Sequence, residues 1–159
     1  MKRQFFAFLL LGLAAVPIPG AETNNKIPAE LDAALNRASK GVLYSLEPIT
    51  EANPPGPKLH GFKILGKTKL DQNQTVAAVN AFKAAISDCG HNSVACFDPR
   101  HALRVTKGDQ TYDLLLWYEC NSLEVYRGDK RFTSFCAAGS PKTLNGLLTA
   151  AKIPLSTTH

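Results

Sequence analysis

The side chains able to do chemistry gather in two short segments. Cys96-Phe97-Asp98-Pro99-Arg100-His101 is one, and Trp117-Tyr118-Glu119-Cys120 is the other. A guanidinium, an imidazole and a carboxylate are groups that orient a polar ligand or move a proton on it. His101 shares the strand parity of Leu103 and Val105, so it points inward. An inward histidine is more often a hydrogen-bonded core group than a catalyst. Arg100 falls opposite Trp117, where a cation–π contact is open to it, and Arg100 and Glu119 can also pair with each other. Arg100, His101, Trp117 and Glu119 are therefore the candidate binding residues, and no residue is assigned as catalytic.

Four cysteines allow three pairings. Turn positions narrow the choice. If Lys107 faces Gln110 across a Gly108-Asp109 turn, Leu103 meets Leu114, Val105 meets Tyr112, and Cys96 comes near Cys120. If Arg127 faces Lys130 across Gly128-Asp129, Cys136 also comes near Cys120. Cys89 continues the apolar stripe of a preceding helix at its end. The favoured pairing is Cys96–Cys120 with Cys89–Cys136; Cys89–Cys96 with Cys120–Cys136 also satisfies this geometry. A zinc site drawn from Cys89, His91, Cys96, His101, Cys120 and Cys136 is the rival. Its Cys-x6-Cys and Cys-x4-His spacings are not a zinc frame, so neither metal nor cofactor is expected. Other signatures are missing. There is no Cys-x-x-Cys, no serine in Gly-x-Ser-x-Gly, no phosphate loop at Gly61 or Gly66, and no His-Glu-x-x-His. Asn73-Gln74-Thr75 is formally a glycosylation sequon, but its place in the first turn of a helix favours a capping role.

The elements that must hold these residues follow from periodicity. Pro28 opens a short helix with Leu31, Ala34, Leu35 and Ala38 on one face, and Gly41 ends it. Val42 to Leu46 and Phe62 to Thr68 read as strands, separated by a stiff proline-rich loop from Glu47 to Pro57. Asp71 caps the clearest helix, with Gln74 reaching back and Val76, Val79, Phe82 and Ile86 as its stripe. Residues 101–136 are strand-rich. The apolar parity switches after residue 121, which suggests a bulge or bend near Asn121 in one long strand. Ser140-Pro141 opens a last helix carrying Leu144, Leu147, Leu148 and Ala151. The expected fold class is α+β: an antiparallel sheet of about five strands with helices packed on one face, stabilised by disulfides.

The N-terminus sets the compartment. Lys2 and Arg3 precede about twelve apolar residues, Phe5 to Val16, and small residues follow near Gly20-Ala21. That is a secretory signal peptide pattern, expected over 1–21. The run is short of the about 20 residues of a membrane span. Residues 22–41 are then a lead-in with the short helix, and 42–159 one α+β domain. The full chain has 159 residues, 18 basic and 13 acidic, for a net charge of +5. Loss of Lys2 and Arg3 with the leader leaves about +3, and no basic run exceeds two residues. A nucleic-acid partner has no support in that pattern. Secretion or a periplasmic location is expected, where paired cysteines are oxidised.

The segments Cys96-Phe97-Asp98-Pro99-Arg100-His101 and Tyr118-Glu119-Cys120, with His60 to Thr68 and Leu43-Tyr44-Ser45-Leu46, resemble a group of uncharacterised secreted bacterial proteins. These carry a Cys-Phe-x-Pro-Arg-His segment and a later Phe-Glu-Cys segment. The resemblance covers roughly residues 42–153. It implies a single exported domain and no substrate. The expected function is a non-enzymatic binding or structural domain with an unknown protein or small-molecule partner. The alternative is a metal-binding or hydrolytic protein built on a Cys/His/Glu cluster around His101.

Overall fold

The structure, a computed structural model, describes residues 25–47, 55–90 and 96–156. The expected signal peptide at 1–21, His91, and residues 48–54 of the proline-rich loop lie outside the described residues. Three helices are present among them: α1 (Ala29–Asn36), α2 (Gln72–Ser87) and α3 (Lys142–Ala150). Seven strands form one antiparallel sheet in the order β2-β3-β1-β4-β5-β6-β7. They are β1 (Gly41–Glu47), β2 (Lys58–Leu59), β3 (Phe62–Leu70), β4 (His101–Lys107), β5 (Gln110–Trp117), β6 (Ser122–Arg127) and β7 (Lys130–Cys136).

The turns explain the two strands beyond the expected five. Gly108 and Gly128 take positive φ in the two expected hairpins, and β4 pairs β5 with Lys107 opposite Gln110 and Leu103 opposite Leu114. Residues 111–126, however, are not one bulged strand. The chain reverses at 118–121, where Asn121 sits at φ 50° and its N–H bonds the Tyr118 carbonyl at 3.2 Å. Asparagine tolerates that left-handed backbone without a glycine. Trp117 then faces Ser122 and Leu116 faces Leu123, so the parity switch marks a hairpin. The other extra strand is the two-residue β2, folded onto β3 through His60 and Gly61, both at positive φ.

Two bulges interrupt the ladders, between Ser45 and Leu46 on β1 and between Val125 and Tyr126 on β6. A bulge bends its strand and deepens the twist, and the sheet is curled accordingly. The second bulge places Cys136 opposite Ser122.

One face of the sheet carries the main core. Leu43, Leu103, Leu114, Leu116 and Leu123 meet Leu31 and Leu35 of α1, Phe82 and Ile86 of α2, and Leu144 and Leu148 of α3. Each fully buried side chain of this kind contributes about 1.5–3 kcal/mol. The stripe on α2 runs through Thr75, Ala78, Val79, Phe82, Ala85 and Ile86, while Val76, expected in it, is 47% exposed. Asp71 and Gln74 form the expected reciprocal cap, worth about 1 kcal/mol. The opposite face has a smaller core of its own. There Leu46, Leu59, Phe62, Ala102 and Leu115 pack together, with Phe97 edge-on to Phe62.

Both disulfides follow the favoured pairing, Cys89–Cys136 and Cys96–Cys120, with Cα separations of 5.7 and 6.0 Å. They close sequence separations of 47 and 24 residues. The chain-entropy relation gives roughly 4 and roughly 3.5 kcal/mol for loops of those lengths. Two bridges fit an oxidising compartment. No helix among the described residues is long and apolar enough to cross a membrane.

Candidate functional site

The Cys96–Cys120 bridge ties the segment entering β4 to the β5–β6 turn. A pocket of about 280 Å³ opens beside it, with Arg100, His101, Tyr118 and Glu119 in its wall. Three of the four expected binding residues therefore meet. The fourth, Trp117, lies at the end of β5 opposite Ser122 and does not line this pocket. Of the two contacts open to Arg100, the one with Trp117 is not among the cation–π contacts of the described residues. Arg100 pairs instead with Glu119 at 3.1 Å. Its side chain is 16% exposed, while that of Glu119, at the rim, is 51% exposed.

His101 points inward as its parity requires, and is 5% exposed. Its Nε2 lies 2.7 Å from Asn145 Oδ1, an atom that can only accept, so Nε2 carries the proton and Nδ1 keeps its lone pair. The Tyr118 ring stands edge-on at 6.3 Å between centroids. Burial pushes the His101 pKa below its ordinary 6.5; the Asn145 bond and Glu119 pull weakly the other way, and Arg100 adds to the lowering. The imidazole is therefore neutral at pH 7. Burial also pushes the Tyr118 phenol up to about 12, so it too is neutral.

Sequence reasoning missed Ser45 and Asn145. Ser45 sits on β1 directly opposite His101 on β4, and is 1% exposed. The β1 bulge falls immediately after it, and bulges re-aim side chains next to active sites. The one signal available was a lone aliphatic hydroxyl inside the run Val42 to Leu46. Asn145 is supplied by α3, and nothing in its local sequence distinguishes it from a solvated helix residue.

Among the described residues, three buried polar atoms of pocket-lining residues have no hydrogen-bond partner: Ser45 Oγ, Arg100 Nε and His101 Nδ1. Each unmet buried group costs about 1–3 kcal/mol. Native interiors hold few of them, and here three belong to residues that line one cavity.

The C-terminal residues complete the wall. Gly66 on β3 is the strand neighbour of Ser45, and Ile153 packs so closely on it that an added Cβ would come within 2.7 Å of Ile153 Cγ2. Leu155 and Ser156, just beyond, line the pocket with Pro141 at the start of α3.

A second polar centre, also absent from the sequence reading, occupies the other face. Arg104 binds both oxygens of the buried Asp113, at 2.6 and 2.7 Å. His60 Nε2 reaches Asp113 Oδ2 at 2.7 Å, and its ring stacks on Tyr126 at 3.8 Å. Both oxygens of Asp113 are thereby engaged, and the arrangement clamps the β2–β3 turn onto β5 and β6. With all four thiols in bridges, the cysteines leave the rival zinc set. Among the described residues no group of three or more His, Cys, Asp or Glu is placed to hold a metal. No family model, curated protein or solved structure matches the chain.

Proposed function

We propose that the chain is an exported, disulfide-stabilised binding domain whose pocket at Ser45, Arg100, His101 and Asn145 takes a small ligand carrying a carboxyl group. The observation that carries this reading is that three residues lining one cavity each hold a buried polar atom with no partner among the described residues. An occupant that bonds to them recovers the free energy lost in leaving them unmet. Arg100 provides the fixed positive charge and planar fork suited to a carboxylate. Glu119 at the rim suits an amine on the same ligand. A volume of about 280 Å³ sets the size at that of an amino acid, below a drug-sized molecule. Export rests on the leader pattern of residues 1–21 together with two bridges that need an oxidising compartment.

Nuclear magnetic resonance on the full, oxidised chain tests the pocket. Titration with acetate or glycine should shift the Arg100 Nε–H, the His101 ring and the Asn145 side-chain amide together, with the remaining histidines unmoved. Shifts scattered over the surface, or none with either probe, would overturn the reading. Intact mass of protein recovered outside the cytoplasm tests the leader, with loss of about 21 residues expected.

A further inference from the structure

We propose that Ser45, His101 and Asn145 form an acyl-transfer site for short-chain carboxylic esters, with the Arg100 Nε–H as donor to the developing oxyanion. The proposal rests on the pocket reading above and names its chemistry.

Strand register sets the nucleophile against the base. Ser45 and His101 are a directly opposed pair on β1 and β4, and such pairs hold their Cβ atoms about 4.5–5.5 Å apart on one face. A serine hydroxyl has three staggered positions. From that separation, rotation about the Cα–Cβ bond carries Oγ toward the imidazole. The histidine is prepared for it: Asn145 Oδ1 takes the Nε2 proton, which leaves Nδ1 as the bare base on the other side of the ring. Nucleophile, base and an orienting third group make up the minimum set for nucleophilic catalysis by a hydroxyl. Here the base is Nδ1 and the orienter an amide oxygen. A nucleophile–base bond often tightens only when substrate binds, which agrees with both atoms being unpartnered among the described residues.

Arg100 supplies the remaining part. Its Nη1 is held by Glu119, while its Nε–H, buried in the pocket wall, has no acceptor among the described residues. A preorganised donor with no ground-state partner is what a developing oxyanion requires. The three orphaned atoms then divide the chemistry between them. Oγ attacks, Nδ1 takes the proton, and Nε–H stabilises the charge.

The steps balance. Ser45 Oγ bonds to the ester carbonyl carbon as its proton passes to His101 Nδ1, and negative charge collects on the carbonyl oxygen beside Arg100 Nε–H. The carbon–oxygen bond to the alcohol breaks, and His101 returns the proton to the leaving oxygen. Water then adds to the acyl-Ser45 carbon with its proton taken by Nδ1. The carboxylic acid leaves as Oγ regains a proton. The volume of about 280 Å³ admits a short acyl chain, and Leu155 and Pro141 give it apolar walls. Ser45 Oγ is itself buried in the pocket wall, so an ester reaches it only as that wall gives way.

The test uses the full oxidised chain with p-nitrophenyl acetate and a fluorophosphonate. The expected result is one phosphonyl adduct per chain, on the peptide holding Ser45, and ester turnover that falls about 100-fold in Ser45→Ala. That variant removes a single oxygen, and circular dichroism confirms that it folds. Asn145→Ala acts through His101. It should lower turnover and move the acid limb of the pH profile to lower pH, because the Asn145 bond raises the His101 pKa. An adduct on any other residue overturns the proposal, as does turnover unchanged in Ser45→Ala. No adduct on Ser45 while acetate still shifts Arg100 and His101 overturns the esterase and leaves the binding pocket standing. Neither adduct nor shifts overturns both.

Discussion

Removing the Ser45 hydroxyl should make the protein more stable. Ser45 is 1% exposed and its Oγ has no partner among the described residues, so folding strips the hydroxyl of water and returns nothing. An unmet buried hydroxyl costs roughly 1–3 kcal/mol. Alanine at this position removes that cost and forfeits the dispersion contacts of one oxygen, at about 0.1–0.2 kcal/mol each. Ser45→Ala should therefore gain about 1 kcal/mol or more, which raises Tm by about 3 °C in a chain of this size. Urea denaturation should show a higher midpoint with an unchanged m value. Ser122 is the matched control. It is also a strand serine, but its Oγ donates to the Cys120 carbonyl at 2.9 Å, so Ser122→Ala should lose about 1 kcal/mol. The two variants must move in opposite directions. If Ser45→Ala destabilises as Ser122→Ala does, the Ser45 hydroxyl is satisfied in the resting protein and the reasoning fails. A gain at Ser45 would also be the usual exchange at a functional position, where stability is given up to hold a reactive group unpaired.

Three other perturbations probe the same geometry. Burial holds the His101 pKa below 6.5, so the unfolded chain binds more protons than the folded one in the acid range. The His101 contribution to stability is full above pH 6.5 and declines as pH falls below it; a midpoint above 6.5 for the His101 ring proton would refute this. Gly66→Ala should cost about 1–3 kcal/mol, because its Cβ would collide with Ile153. That cost should shrink when Ile153→Ala is added, and a double-mutant cycle with no coupling would refute the contact. Replacing Cys96 and Cys120 together by serine should lose about 3.5 kcal/mol and loosen Arg100 and Glu119, read as loss of the acetate-induced shift at Arg100.

Hairpin chemistry and hydrophobic period were legible in the residues. Lys107-Gly108-Asp109-Gln110 and Arg127-Gly128-Asp129-Lys130 specify turns locally, because a two-residue loop needs positive φ and glycine provides it. Register then propagates along the strand with period two, and that brings Cys96 and Cys136 to the same end of the sheet as Cys120, where two pairings stay open and the favoured one is the one formed. The β5–β6 turn was read as a bulge because Asn121 is weaker punctuation than glycine. A parity switch alone does not distinguish a kinked strand from a reversed one. The outward tilt of Val76 was invisible for a related reason. Two adjacent helix faces both carried small apolar residues, and packing against the sheet selected the one through Thr75 and Ala78.

The candidate site divides along the same line. Arg100, His101 and Glu119 stand close to bridged cysteines in the chain, and strand parity alone turned His101 inward. Trp117 belonged to the same short segment, yet one residue's difference in parity and the end of β5 took it away from the pocket. Ser45 and Asn145 lie 56 and 44 residues from His101. Only the β1–β4 pairing and the docking of α3 bring them to it. Local sequence determines turn, period and parity because those depend on neighbours a few bonds away. The partners of a buried polar atom depend on which distant elements pack above it, and that is settled by the collapse of the whole core. The same collapse leaves three polar atoms of the pocket's lining residues without partners among the described residues.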